Sequence, residues 1–368
     1  MPILKWKAAE MQALKDLASK GNIMPLIEFV MPSFKGKKED LKDNLEKVAK
    51  DLREKFAQQR IKQIPDEIEE NWGTEPIFID FSLLDTTDLR VESIKNITES
   101  CLKKGLQVVP TINLADPEIV IKEVSKLHGH HQQGICLRVS LIDMKDINEL
   151  NKKIIDFLQN FNVSPKEIFL LIDLKEKGQD FSNYSSVYEV TQKITRLKEW
   201  RAVILGAGAF PKDLSECKND ADNYFDRWDW RNWSLKKANG KNERIPTFAD
   251  YAIRHPIYSQ QLLLYRGSAS IKYTLEDKWL VMKGKRDKSE HYLAHAAVLT
   301  KTKLFYGETF SKGDRLIKEK ADHYPAYMKN KKLGGTGNST TWIYIGTNHH
   351  ISCVQHQLSN FSESAASE

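Results

Sequence analysis

Four carboxylates, Glu28, Asp80, Asp173 and Asp250, stand at or near the ends of the short apolar runs Ile23–Val30, Pro76–Phe81, Glu167–Asp173 and Pro246–Tyr251. Brought together, such acids repel one another unless something positive sits between them. A divalent cation is one solution, because oxygen donors suit magnesium or manganese, and the metal could polarise a phosphoryl oxygen or activate water. In that reading Glu28, Asp80 and Asp173 are the metal ligands. Arg138, inside the run Gly134–Ser140, with Arg254 or Lys272 from later runs, is the other solution: a carboxylate–arginine network that needs no metal.

Further residues could join this chemistry. His255 follows Asp250-Tyr-Ala-Ile-Arg254 and precedes Pro256, where a general acid or base could lie; bonding a backbone carbonyl or capping a helix is the structural alternative. Asn348-His349-His350 places two adjacent histidines whose side chains diverge on either a helix or a strand, so one could enter a site while the other packs. A histidine that locks the C-terminal segment onto the rest of the chain is the rival role. Lys175 could act as a nucleophile only if it pointed inward and lost its charge by burial. Gly334-Gly-Thr-Gly337 could cradle an anion, but it lacks the Lys-Ser/Thr ending of a P-loop. Gly206-Ala-Gly208 could admit a phosphate or simply relieve crowding. No GxSxG elbow, HExxH, kinase set or deaminase signature occurs.

The elements that would position these residues repeat. Apolar runs recur at Ile23–Val30, Pro76–Phe81, Leu106–Ile112, Gly134–Ser140, Glu167–Asp173, Ala202–Ala207, Pro246–Tyr251 and Ser270–Thr274, the last carrying Tyr273, and most gaps leave room for a helix. The pattern predicts a TIM-barrel-like (β/α)8 fold, whose working face gathers residues at the C-terminal ends of its strands. Helical spacing marks Ala8–Ser19, Lys37–Arg60, Asp88–Lys104, Glu118–Leu127, Lys145–Asn160, Tyr184–Trp200 and a segment near Ile257–Tyr265. Ile61–Gly73 reads as an irregular excursion. Trp228, Trp230 and Trp233 read as a helix packing its indoles on the barrel wall, with a stacking surface as the alternative. From Glu276 the repeat stops: Trp279–Met282 and Thr340–Ile345 read as strands, His291–Thr300 and Asn348–Gln357 as helices. The domain expectation is a barrel over 1–275, a C-terminal α+β extension over 276–358 packed on it, and a disordered tail over 359–368.

The chain has 368 residues, more than the roughly 250 a barrel needs. Its net charge is +6, with basic clusters at Lys283–Lys288 and Lys329–Lys332. That balance permits an anionic partner without demanding one. No apolar run is long enough for a membrane helix, and the first residues do not form a signal peptide. Cys101, Cys136, Cys217 and Cys353 form no CxxC pair and read as reduced thiols of a cytoplasmic protein.

Specific motifs also match a family. Pro2-Ile-Leu-Lys-Trp-Lys-Ala-Ala-Glu10, Pro25-Leu-Ile-Glu28, Asp250-Tyr251 with His255-Pro256, Ile271-Lys-Tyr-Thr274 and Trp279-Leu-Val-Met-Lys-Gly284 resemble the beta protein family of phages, prophages and bacterial mobile elements. So does the closing segment Gly307-Glu-Thr-Phe…Gly313-Asp314 leading to Thr341-Trp342-Ile-Tyr-Ile-Gly-Thr-Asn-His-His350. The chain departs from that pattern at Ile343-Tyr344 and Thr309-Phe310. The resemblance implies a phage or mobile-element setting, with anti-phage defence as the expected role, and little chemistry. Together with the residues above, the expectation is a phosphorylated ligand, a nucleotide or nucleic-acid end, bound at the barrel mouth. Metal-assisted phosphodiester or nucleotide hydrolysis is the first enzymatic guess, with Asp173, Asp250 and His255 catalytic. Arg138, Arg254, Tyr273, Asn348 and His349 would bind substrate. The rival expectation is a non-catalytic barrel scaffold serving as a sensor or as a docking module for a protein partner from a defence system or phage.

Overall fold

The computed structural model describes residues 1–34, 44–176, 181–238, 244–258 and 267–366. Its strands are β1 (Ile3–Lys5), β2 (Leu26–Glu28), β3 (Ile77–Asp80), β4 (Val108–Asn113), β5 (Ile135–Ser140), β6 (Ile168–Asp173), β7 (Ala202–Ala207), β8 (Asp222–Asp226), β9 (Thr247–Asp250), β10 (Ser268–Thr274) and β11 (Lys278–Arg286). Strands β1 to β7 and β9 pair in parallel in that order. A parallel bridge between Pro2 and Asp250 brings the two ends together, so the barrel is nearly closed. The (β/α)8 expectation holds.

Its membership differs in one strand. The run Ser270–Thr274 is not the eighth barrel strand; it lies in β10, which pairs antiparallel with β11, itself paired with β8. The reason is visible in burial. Strand β10 alternates buried and half-exposed residues, as an antiparallel sheet with one covered face does, whereas β6 is buried along nearly its whole length, as a barrel strand covered on both faces must be. The missing barrel strand is β1, whose three residues are too short to show a period. The second sheet also takes β8 from within the β7–β9 connection, so it is not confined to the chain after 276.

The helices are α1 (Ala8–Lys15), α2 (Leu45–Lys55), α3 (Ile61–Asn71), α4 (Thr87–Lys103), α5 (Glu118–His131), α6 (Ile147–Asn160), α7 (Phe181–Thr191), α8 (Trp228–Ala238), α9 (Glu290–Leu299), α10 (Lys312–Lys329) and α11 (Ser339–Ala366). Ile61–Gly73 is therefore mostly helix α3, not an excursion. Ile61, Ile64 and Ile68 form its buried stripe. Thr340–Ile345 is not a strand but the first turns of α11, and that helix runs through Ala366, where the sequence reads a disordered tail. Phe361 packs on Trp230 and Trp233, which also meet Phe248 on the barrel wall, edge-on and tilted respectively. The start of the Lys37–Arg60 helix and most of the Ile257–Tyr265 segment lie outside the described residues.

Two glycines let the C-terminal helices approach other backbone directly. A Cβ on Gly346 would lie 2.8 Å from the Lys272 carbonyl oxygen, and one on Gly313 would lie 2.5 Å from that of Ile345. Helix α11 thereby packs between α1, α10 and β10, tying the second sheet to the barrel. Among the described residues no helix is long and apolar enough to cross a membrane.

Candidate functional site

Side chains alternate across each barrel strand, so parity decides which residues enter the barrel. Ile3, Leu26, Phe78, Leu171, Ile204 and Ala249 pack together inside. Two residues further along, Lys5, Glu28, Asp80, Asp173 and Tyr251 face inward at the mouth, with Arg138 two residues beyond interior Cys136. The parallel register sets Lys5 opposite Glu28 and Glu28 opposite Asp80.

Arg138 sits at the centre. Its Nη1 bonds Asp80 Oδ2 at 2.5 Å and lies 2.9 Å from Glu28 Oε1, while Nε and Nη2 reach Asp173 Oδ2 at 2.9 and 2.7 Å. The Tyr251 hydroxyl donates to that same Asp173 oxygen at 2.7 Å and accepts from Arg138 Nη2 at 2.9 Å. Lys5 pairs with Glu28, and Lys175 Nζ lies 3.1 Å from Asp173 Oδ2. Lys175 does reach the mouth: it has a left-handed φ of 50°, its amide bonds Asp173 Oδ1, and its ammonium returns over the Tyr251 ring. Three carboxylates thus meet three cations. Arg138 does stand among the acids, as the alternative to a metal expected, but its companion cations are Lys5 and Lys175 and not Arg254 or Lys272. The guanidinium holds the place between the acids, and this charge-balanced set does not fit a divalent cation.

The same contacts set the protonation states. For Asp173, burial pushes upward, but Arg138 and then Lys175 outweigh it and hold the carboxyl well below its usual range. For Glu28, burial is again overcome by Arg138, Lys5 and Lys175, taking it from an ordinary 4.5 to about 2. A carboxylate so readily kept ionised is a weak base, so Asp173 suits a fixed charge better than proton transfer. A depressed carboxyl contributes stability above its unfolded value and loses it as pH falls through its folded one. Lowering the pH from about 4.5 toward about 2 should therefore remove on the order of 3 kcal/mol through Glu28 alone. Urea unfolding of wild type and Glu28→Gln across that window tests this; equal pH slopes would refute it.

Asp250 is not in the mouth. Tyr251 takes the inward place, and Asp250 points outward, where its Oδ2 lies 2.8 Å from His350 Nε2. His350 Nδ1 meets the Thr274 hydroxyl at 2.9 Å. Burial keeps the His350 ring below its ordinary pKa, so the neutral ring donates from Nε2 and accepts at Nδ1. Asp250 and His350 border a pocket of about 350 Å³ beside Met1, outside the barrel. The strand-end aspartates also have a local role: Asp80, Asp173 and Asp250 each accept from the amide two residues on, the Asx turn that ends each strand.

The C-terminal motif is a lock and does not reach the mouth. His349 stands between Asp314 Oδ2 and the Thr274 carbonyl, each at 2.8 Å, and stacks on Tyr273 with ring centres 3.9 Å apart. The Tyr273 hydroxyl donates to Asp314 Oδ1 at 2.7 Å. Asn348 accepts from the Gly313 amide and donates to the Ala13 carbonyl. All three predicted substrate-binding residues of this group are spent on joining α11, α10, β10 and α1. His255 Nε2 lies 3.2 Å from Glu176 and its Nδ1 accepts from the Ile257 amide, apart from the Arg138 network.

Sequence reasoning missed a second feature. Arg254, Lys272, Lys283 and Arg286, with Asp213 as their one acid, line a cleft of about 400 Å³ together with Ser215, Ser268, Ser270 and Ser339. Lys272 Nζ bonds the Ile253 carbonyl and lies 4.4 Å over the Phe210 ring; Lys283 Nζ bonds the carbonyls of Leu214 and Cys217. Arg254 touches Glu10 at 3.4 Å. Burial, then the charge of Arg254, pushes the Lys272 ammonium from 10.5 to about 7. Arg254, already expected to bind substrate, and the basic run Lys283–Lys288, which supplies two of the four basic groups, were the available signals.

A family model described as Beta protein matches residues 1–356 of the chain. No curated protein and no solved structure matches it.

Proposed function

The chain belongs to the beta protein family, and from that premise we propose a phage- or mobile-element-associated protein, acting in anti-phage defence, that binds a phosphorylated ligand. The setting rests on the family resemblance. The ligand class rests on one observation: four basic side chains line a 400 Å³ cleft edged with serine hydroxyls, with Asp213 in the lining and Glu10 beside Arg254 as the acids near them. Backbone carbonyls accept the hydrogen bonds of the Lys272 and Lys283 ammonium groups, which leaves both able to answer an arriving anion. Phosphate oxygens would accept from the ammonium and guanidinium groups as charge-assisted hydrogen bonds. This moves the anion site from the mouth, where each cation already has its carboxylate, to the neighbouring cleft that Arg254 enters. A nucleotide or a nucleic-acid end fits the cleft's size and charge.

The low-lying Lys272 ammonium adds a pH signature. An arriving anion favours the charged form, so binding takes up a proton near neutrality and weakens as the pH rises above about 7. A thermal-shift panel of pyrophosphate, nucleotides and a 5′-phosphorylated oligonucleotide checks the reading, because binding to the folded state raises the melting temperature. The expected shift is larger at pH 6 than at pH 8.5, shrinks with salt, and is lost in Arg254→Gln. A shift indifferent to salt and to Arg254 would exclude the cleft.

The saturated mouth favours a second reading, a non-catalytic scaffold that senses or docks a protein partner. No shift with any phosphorylated compound would favour it.

A further inference from the structure

We infer that Asp220, His291 and His295 form a binding site for one transition-metal dication, zinc being the best match, separate from the barrel mouth and independent of the phosphate-binding reading. Among the described residues this is the one group of three or more potential ligands whose donor atoms all lie within 4.8 Å of one another. The two histidines stand four residues apart on α9, the spacing that brings two side chains to one helix face. Two imidazoles and one carboxylate are a donor set suited to zinc and its neighbours and poor for magnesium or calcium.

The site is held by the fold from two sides. The Asp220 amide donates to the Lys283 carbonyl at 2.8 Å, with a left-handed φ of 52° that turns the chain there. His291 lies directly over Gly284, where an added Cβ would fall 2.5 Å from that of His291. Glycine at 284 is therefore what admits this histidine against β11. His291 Nδ1 and Asp220 Oδ1 are already 2.9 Å apart.

An independent observation points to a ligand. His295 is 6 % exposed, and its Nε2 is buried without a hydrogen-bond partner. A buried polar atom left unpaired costs about 1–3 kcal/mol unless something satisfies it. Zinc holds its ligands at about 2.0–2.2 Å, which needs donor atoms about 3.3 Å apart. His291 Nδ1 and Asp220 Oδ1 are already within that distance, and these are the two more exposed members of the group. Three protein ligands leave one position for water.

The test is titration of the chelator-stripped full chain with cobalt(II), followed by visible absorption, and then displacement by zinc. One equivalent of cobalt per chain should bind, with zinc displacing it and raising the melting temperature. Asp220→Ala and His291→Ala, both at the surface side of the site, should fold normally and bind the metal at least tenfold more weakly. The control His130→Ala should bind like wild type. Absence of saturable one-equivalent binding would overturn the inference, as would unchanged affinity in both Asp220→Ala and His291→Ala.

Discussion

Arg138→Met should destabilise the protein by about 3–5 kcal/mol, the range for removing one partner of a buried ion pair. Methionine keeps much of the side-chain length, so the loss is electrostatic and not a cavity. The variant leaves Glu28, Asp80 and Asp173 facing one another at 1–2 % exposure, with only Lys5 and Lys175 to answer three charges. Asp173 loses two short hydrogen bonds and Asp80 its 2.5 Å partner in the same step. The denaturant midpoint measures the loss. Adding Asp80→Asn and Asp173→Asn to Arg138→Met should restore much of it, because the repulsion goes with the charge. A loss below about 1 kcal/mol, typical of a solvent-exposed pair, would mean the network is open to water and not a buried one.

Asp314→Ala should cost about 3 kcal/mol or more and loosen the second sheet from the barrel. Asp314 accepts from the Tyr273 hydroxyl, from Ser311 Oγ at 2.5 Å, and stands 2.8 Å from His349 Nδ1. Alanine leaves a buried histidine nitrogen and a buried phenol without an acceptor, and each such group carries a desolvation penalty of about 1–3 kcal/mol. Hydrogen exchange would localise the effect to α10, α11 and β10. Protection lost uniformly across barrel and second sheet would show that the lock does not separate two cooperative units.

The barrel was legible because buried parallel strands are apolar along their whole length, and Ile168–Asp173 is the plainest case. Strand β1 was not, and Lys5 was missed with it. Parity was the second obstacle. Asp250 and Tyr251 are adjacent, and nothing in the sequence says which faces inward; one residue of shift exchanges the core face for the outer face. Thr340–Ile345 is rich in β-branched and aromatic residues, which favour strands locally, yet packing against α1, α10 and β10 makes it helix. Asn348, His349 and His350 were visible as a motif, but their choice between site and lock depended on Asp314, Thr274 and Asp250, which no spacing connects to them. The cleft and the Asp220–His291–His295 group are likewise assembled from segments distant in the chain. Lys175 does turn inward, as a nucleophile would have to, but it meets the Asp173 carboxylate there, a partner that no spacing announces.

The most direct measurement is calorimetric titration of the full chain with pyrophosphate, comparing wild type, Lys272→Gln in the cleft and Lys175→Gln at the mouth. A charged hydrogen bond is worth about 1.5–3 kcal/mol, so Lys272→Gln should weaken binding roughly tenfold or more, with Lys175→Gln unchanged. The reverse order would return the anion site to the barrel mouth. No heat of binding in the wild type, at low salt and pH 6, would contradict phosphate recognition by this chain.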